Sequence, residues 1–266
     1  MSGKIKVVVT GAFGRVGNEV AKALLQSKKH QLVAAVDLKN TGHDIGLLSG
    51  LPPAGIHINS DLKEVIRETT PDVMVDFTEP ATVMNNIRAA IAAGVRPVVG
   101  TTGIASADLD EIHILCEQNH LSAVVAPNFA IGAVLMMRFA QEAARYFPRV
   151  EIMEMHHELK LDAPSGTALK TAEMISLNNN GLKLPAIQSN EKYPGARGTI
   201  YNDIHIHSVR LPGLIAHQEV IFGGSGQALT IRHDSFNRES FVPGVLLAIE
   251  KVMQCNGLVY GLENLL

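Results

Sequence analysis

Ile5-Lys6-Val7-Val8-Val9-Thr10-Gly11-Ala12-Phe13-Gly14-Arg15-Val16-Gly17 is the stretch that decides the fold. A β-branched run ends in a turn with glycines at its first, fourth and seventh places, and Arg15 to Gln26 then carries a helical pattern. Glycine permits the tight turn and the close approach of a pyrophosphate, while the helix N-terminus supplies amides and a positive dipole. A glycine-rich turn by itself serves packing as readily as binding. The ordered series of strand, turn, helix and acid is more specific. The acid is Asp37, 20 residues past Gly17, where a second strand read from Leu32 ends. A carboxylate there accepts the ribose hydroxyls of an adenosine half and repels a 2′-phosphate, which favours NADH. Arg15 and Lys39 lie close by in sequence, and either could pair with a 2′-phosphate, so NADPH stays open. The expected cofactors are NADH, NADPH or both.

Outward from this unit, strand-like runs alternate with helical patterns as far as about Phe147, the sequence form of βαβ units feeding a parallel sheet. Strands are expected at Val73 to Phe77, Pro97 to Gly100 and Ser122 to Ala126, with helices near Ala81 to Ala92 and Ser106 to Gln118. The fold class is α/β, a Rossmann-like doubly wound domain. Thr41 to Asn59, rich in glycine and proline, reads as loop with one short strand around His57. Three strand ends carry turn residues where open parallel sheets bind ligands: Phe77-Thr78-Glu79-Pro80, Gly100-Thr101-Thr102-Gly103 and Ala126-Pro127-Asn128-Phe129. In the last of these, the Asn128 amide could orient a nicotinamide carboxamide. Each of the three, taken singly, also reads as an ordinary connection.

After Val150 the texture changes to one helix from about Gly166 to Ser176, a polar terminus Asn178-Asn179-Asn180-Gly181, and strands joined by turns. The strands are Asp203 to Arg210, His217 to Phe222 and Ala228 to His233, the last two forming a hairpin through Gly223-Gly224-Ser225-Gly226. This second domain reads as α+β with a mixed or antiparallel sheet. A final helix runs from about Pro243 to Gln254.

The chain has 266 residues, 46% of them hydrophobic, with 23 Lys and Arg against 26 Asp and Glu. That is apolar material for a sizeable core, and a net charge of −3 that is weak and of the wrong sign for general nucleic-acid or anionic-membrane binding. Cys116 and Cys255, far apart and outside any zinc-ligand spacing, point to reduced thiols in a cytoplasm. Met1 to Lys6 shows no signal-peptide pattern and no apolar stretch approaches membrane-spanning length.

The chemistry concentrates in Glu154-Met-His-His-Glu-Leu-Lys160-Leu-Asp-Ala-Pro-Ser-Gly-Thr-Ala168. His156 and His157 would leave a strand on opposite faces unless the strand ends there, which the turn at Asp162 to Gly166 permits. Ser165 is a good N-cap for the next helix, presenting the amides of Gly166 and Thr167 at a positive helix end. Two imidazoles, the Lys160 ammonium and a helix N-terminus converge on an anion, so the substrate is expected to carry carboxylates. His156 or Lys160 is then available as proton donor. A capped helix behind a solvated loop is the plainer alternative. His205 and His207 share one strand face, but nothing completes a metal site, and a polar sheet face or subunit contact is the better reading.

On GAFGRVG (Gly11 to Gly17), DFTEP (Asp76 to Pro80), GTTG (Gly100 to Gly103), APNFAIG (Ala126 to Gly132) and above all EMHHELKLDAPSGTA (Glu154 to Ala168), the chain closely resembles the 4-hydroxy-tetrahydrodipicolinate reductase (dihydrodipicolinate reductase) family. HSVRLPGLIAHQEVIFGG (His207 to Gly224) and HDSFNRESF (His233 to Phe241) carry the resemblance through the second domain. It implies NAD(P)H-dependent reduction in lysine and diaminopimelate biosynthesis, with hydride passing to C4 of the substrate ring after the 4-hydroxyl leaves as water. It also implies His156 as proton donor or acceptor with Lys160 as its proton-donating partner, and His157, Gly166 and Thr167 on a substrate carboxylate. The family's cofactor segments would be Gly11, Ala12, Phe13, Gly14, Arg15, Val16, Asp37, Gly100, Thr101, Thr102, Ala126, Pro127, Asn128 and Phe129, to which Lys39 is added only from its place close after Asp37. Residues 1–130 completed by 233–266 would bind the dinucleotide, and 131–232 would bind substrate and build a homotetramer.

Overall fold

The computed structural model describes residues 3–179 and 190–266, so Asn180 and Gly181 of the polar terminus lie outside the described residues. The chain divides into two compact units, residues 1–130 with 238–266, and residues 131–237. The division falls later than the expected 232/233 because the last strand of the second sheet continues in register through Ser235, paired with Ala216.

The first unit is built on a seven-stranded parallel sheet, ordered β12-β6-β5-β4-β1-β2-β3. Its strands are β1 (Ile5–Thr10), β2 (His30–Val36), β3 (Ile58–Asn59), β4 (Val73–Asp76), β5 (Arg96–Val99), β6 (Ser122–Val125) and β12 (Gly257–Tyr260). The helices are α1 (Arg15–Gln26), α2 (Ile45–Leu48), α3 (Leu62–Thr69), α4 (Pro80–Ala92), α5 (Ser106–Asn119) and α8 (Val242–Val252). Val7, Val8 and Val9 are wholly buried, as a strand covered on both faces requires. Each such side chain contributes roughly 1.5–3 kcal/mol through burial. Helix α1 buries Gly17, Val20, Ala21 and Leu24, a spacing of three to four that lays one stripe on the sheet.

The register brings the carboxyl ends of the strands into one row. Thr10 is paired with Val36 and Asp76, Asp76 with Val99, and Val99 with Val125. Chain connections diverge to either side of β1, so the loops after β1, β2, β4, β5 and β6 line a switch-point crevice, the usual ligand site of such sheets. The edge strand β12 lies beyond the end expected for the last helix, in a segment to which the sequence pattern assigns no element. The short strand expected near His57 is β3 with a bridge from His57 to Asp44. Asp44 caps α2, a helix absent from the sequence reading.

The second unit holds a five-stranded mixed sheet, ordered β11-β10-β7-β9-β8, with α6 (Ile131–Ala143) and α7 (Gly166–Asn178). The strands are β7 (Arg149–His156), β8 (Thr199–Tyr201), β9 (Ile204–Arg210), β10 (Ala216–Gly224) and β11 (Gln227–Ser235). The hairpin turn between β10 and β11 narrows to Ser225 and Gly226, with Gly226 at positive φ. Strands β7 and β9 run parallel, which makes the sheet mixed. One face carries Ile152, Ile206, Val220 and Phe222 into the core, then Glu154, Gln218 and Ser208, and at its end His156 beside Arg210. Among the described residues, no helix is long and apolar enough to cross a membrane. Both cysteines are free, and burial pushes the Cys116 thiol up to about 11.

Candidate functional site

In the first unit the glycine turn has the shape its sequence demands. Gly11 is at φ +70°, and the Gly14 amide donates to the Gly11 carbonyl at 2.9 Å. A Cβ on Gly17 would collide with that same carbonyl, so only glycine lets α1 approach the turn this closely. Gly14 caps α1 without a side-chain bond, and the first turn holds no acidic residue, which leaves a helix terminus suited to an anion. The Asp37 carboxylate accepts from the Phe13 amide at 2.9 Å and the Lys39 amide at 2.9 Å, tying the second strand's end to the glycine turn. Ala12 is buried, while the side chains of Arg15 and Lys39 are exposed and that of Val16 is half-buried.

The neighbouring loops hang on a buried carboxylate that sequence reasoning left without a role. Asp76 accepts from Thr10 Oγ1 at 2.9 Å, Thr78 N at 3.0 Å, Thr78 Oγ1 at 2.7 Å, Asn86 Nδ2 at 2.8 Å and Thr101 Oγ1 at 2.8 Å. It thereby joins β1 to the Gly100-Thr101-Thr102 loop. Phe77 meets Phe129 edge to face at 5.9 Å, and its ring fills the space a Cβ on Gly100 would need. Phe129 and Ala126 are buried and can present only backbone to a ligand; Pro127 and Thr102 are exposed. Asn128 Oδ1 accepts from the Ala130 amide at 2.9 Å, so this side chain shapes the turn into α6.

In the second unit β7 ends at His156, so the two histidines occur at a strand end. Ser165 caps α7 by accepting from the Ala168 amide at 3.2 Å, and Gly166 and Thr167 form the helix's first turn. Lys160 Nζ donates to Asp162 at 2.7 and 2.9 Å, and no bond joins it to His156. His156 Nδ1 lies 2.5 Å from Glu154 Oε2. Glu154 is completely buried and receives two bonds from Arg210, at 2.7 and 3.0 Å. The arrangement offers a poised imidazole, a movable ammonium and a helix N-terminus within one loop system, the equipment for binding a carboxylate and moving a proton.

Burial alone would raise the Glu154 carboxyl, but hydrogen bonds from His156, Arg210 and Ser208 outweigh it and hold it at about 2. The bond from Lys160 holds Asp162 below the usual carboxylate range. Because Glu154 sits below its ordinary 4.5, its stabilising contribution is complete above that value and is lost as pH falls toward 2. That contribution is on the order of 3 kcal/mol. The stability difference between the wild-type chain and Glu154→Gln, measured by urea unfolding, should therefore shrink from pH 6 to pH 2.5. A constant difference across that range would contradict the linkage.

On the face away from α6 and α7, His205 stacks against His207 with ring centres 6.4 Å apart. His207 Nε2 lies 2.8 Å from Glu151 Oε2, and Arg197 also pairs with Glu151. This is a polar sheet face.

The dihydrodipicolinate reductase N-terminal family model matches residues 5–129, and the C-terminal model of the same family matches residues 132–266. The chain belongs to the dihydrodipicolinate reductase family. A 4-hydroxy-tetrahydrodipicolinate reductase of Moorella thermoacetica is 59% identical over 266 residues, covering 100% of this chain and 99% of the relative. One from Desulfitobacterium hafniense is 55% identical over 268 residues, covering 99% of each. The solved structure of a dipicolinate-bound dihydrodipicolinate reductase from Paenisporosarcina sp. TG-14 superposes with a TM-score of 0.87 at 48% identity, covering 99% of this chain and 100% of that one.

Within this reductase fold the first unit ties Asp37 to the glycine turn through the Phe13 amide, and the Phe77 ring meets both Gly100 and Phe129. The second unit brings His156, Lys160 and Gly166 onto one loop system. Glu154, Arg210, Asp162 and Asp76 went unread as functional residues. A signal existed for Glu154 and Asp76, since a carboxylate inside or closing a buried β-branched run has to find donors.

Proposed function

We propose that this chain is a 4-hydroxy-tetrahydrodipicolinate reductase acting in lysine and diaminopimelate biosynthesis. It takes the 4-hydroxy substrate, NAD(P)H and a proton to tetrahydrodipicolinate, NAD(P)+ and water. The observation that carries this reading is the His156 and Lys160 loop system ending at the N-terminus of α7, set in a chain matched end to end by the family.

The residues of the first unit fit a dinucleotide. Glycine at 17 admits the close helix approach, the uncapped α1 terminus suits a pyrophosphate, and Asp37 stands at the second strand's end for a ribose. Lys39 and Arg15 border that position, and the loops at Gly100 to Thr102 and Ala126 to Phe129 offer backbone groups further along the crevice. A bound nicotinamide supplies hydride for C4 of the substrate ring. In the second unit the amides of Gly166 and Thr167, with His157, hold a substrate carboxylate. Lys160 exchanges its exposed partner Asp162 for the substrate, and His156 and Lys160 handle the proton that balances the hydride.

With Asp37 in place NADH serves at least as well as NADPH. Initial rates with each cofactor test this: NADH rates should equal or exceed NADPH rates, and Lys39→Ala should lower the NADPH rate by several-fold while sparing NADH. A clear NADPH preference that Lys39→Ala leaves unchanged would overturn this reading of the pocket. The substrate is a small dicarboxylate, and the chain assembles as a cytoplasmic homotetramer through the sheet of its second unit. Sedimentation equilibrium at the tetramer mass is the expected result.

A further inference from the structure

Glu154 stands out because nothing in the proton-handling chemistry above calls for it, and burying a lone carboxylate is costly unless it is paired. Strand β7 points alternate side chains the same way, so Ile152, Glu154 and His156 share one face. Ile152 packs in the core, His156 reaches the strand's end, and Glu154 lies between them with no exposure. Both of its oxygens are engaged. Oε2 takes His156 Nδ1 at 2.5 Å and Arg210 Nη1 at 3.0 Å; Oε1 takes Arg210 Nη2 at 2.7 Å and the Ser165 amide at 3.3 Å. Arg210 Nη2 also donates to the Asp162 carbonyl at 2.7 Å. The same carboxylate and guanidinium therefore touch the histidine, the Lys160 loop and the cap of α7.

We infer that Glu154 is a positioning residue for the reduction: it keeps the proton of neutral His156 on Nδ1, so that Nε2 is the nitrogen that exchanges a proton with the substrate. The inference rests on the proposed role of His156. An ionised carboxylate can only accept, so a nitrogen held this close to it must carry the hydrogen. Fixing the tautomer of a proton-transferring histidine through its other nitrogen is how a buried acid assists such a residue without touching substrate. Arg210 is paired across from His156 on β9, and the ion-paired Lys160 and Asp162 lie on the loop that follows it. Arg210 is the partner that allows Glu154 to remain an anion without exposure. On β10 the residue paired with His156 is Ala216, which offers no competing acceptor from its side chain.

The direct test uses the wild-type protein with 15N-labelled histidine. Two-bond 1H–15N spectra distinguish the tautomers, and His156→Gln identifies the His156 signals by their loss. Neutral His156 should carry its proton on Nδ1. In Glu154→Gln the new amide can donate to Nδ1 and shift the proton to Nε2, so that tautomer should appear. Turnover should fall about a hundredfold while the KM for NADH stays within about twofold. Glu154→Asp keeps the charge and should keep the Nδ1–H form and more of the turnover. An Nε2–H form in the wild-type protein overturns the inference even if Glu154→Gln fails to fold, and so does full turnover by a folded Glu154→Gln. Full turnover by His156→Gln would instead remove His156 from the reaction, overturning the functional reading beneath the inference whichever tautomer is found.

Discussion

Lys160→Ala should lower turnover by about a hundredfold or more and leave dinucleotide binding unchanged. Among the described residues the ammonium is held by Asp162 alone, a partner 61% exposed, and an ion pair so open to solvent contributes roughly 0–1 kcal/mol. On the proposed function a substrate carboxylate displaces it cheaply, which would place a mobile proton donor beside the reacting ring. On the proposed function the dinucleotide is held by the glycine turn and Asp37, which lie on other elements of the chain. Steady-state rates on substrate generated in place, together with NADH fluorescence titration, separate the two effects. Full retention of turnover would remove Lys160 from the mechanism.

Gly17→Ala should weaken dinucleotide binding by about fivefold to 150-fold. The added methyl would meet the backbone carbonyl of Gly11, which no side-chain rotation can relieve. Helix α1 or the turn has to move, at a cost of about 1–3 kcal/mol. That converts to the stated range of affinity if the turn absorbs the shift. A titration with NADH, beside a urea unfolding curve, shows how the cost divides between binding and stability. Unchanged values in both would mean that the close approach of α1 is dispensable.

The glycine turn, α1 and Asp37 were legible because they are local. Glycine at a positive-φ turn, an amphipathic stripe of three-to-four spacing and an acid at a strand end are all written within one βαβ unit. The Ser165 cap was legible for the same reason. Glu154 and Arg210 were not, because their contact depends on β7 and β9 lying parallel in one register, and they stand 56 residues apart. Asp76 gathers donors from β1, α4 and the loop after β5, a junction visible only once the strand ends are aligned. Strand β12 was missed because four residues beyond a helix end carry too little pattern to distinguish an edge strand from a terminus. Strand β8, three exposed residues long, gives no alternation to read.

Every residue role above depends on the reduction itself. The measurement that tests it most directly generates the unstable 4-hydroxy substrate in place, from pyruvate and aspartate semialdehyde with the condensing synthase, and follows oxidation of NADH and NADPH separately. Rapid, substrate-dependent oxidation is the expected result, with NADH at least as effective as NADPH. Binding of both cofactors with oxidation of neither would refute the reductase activity.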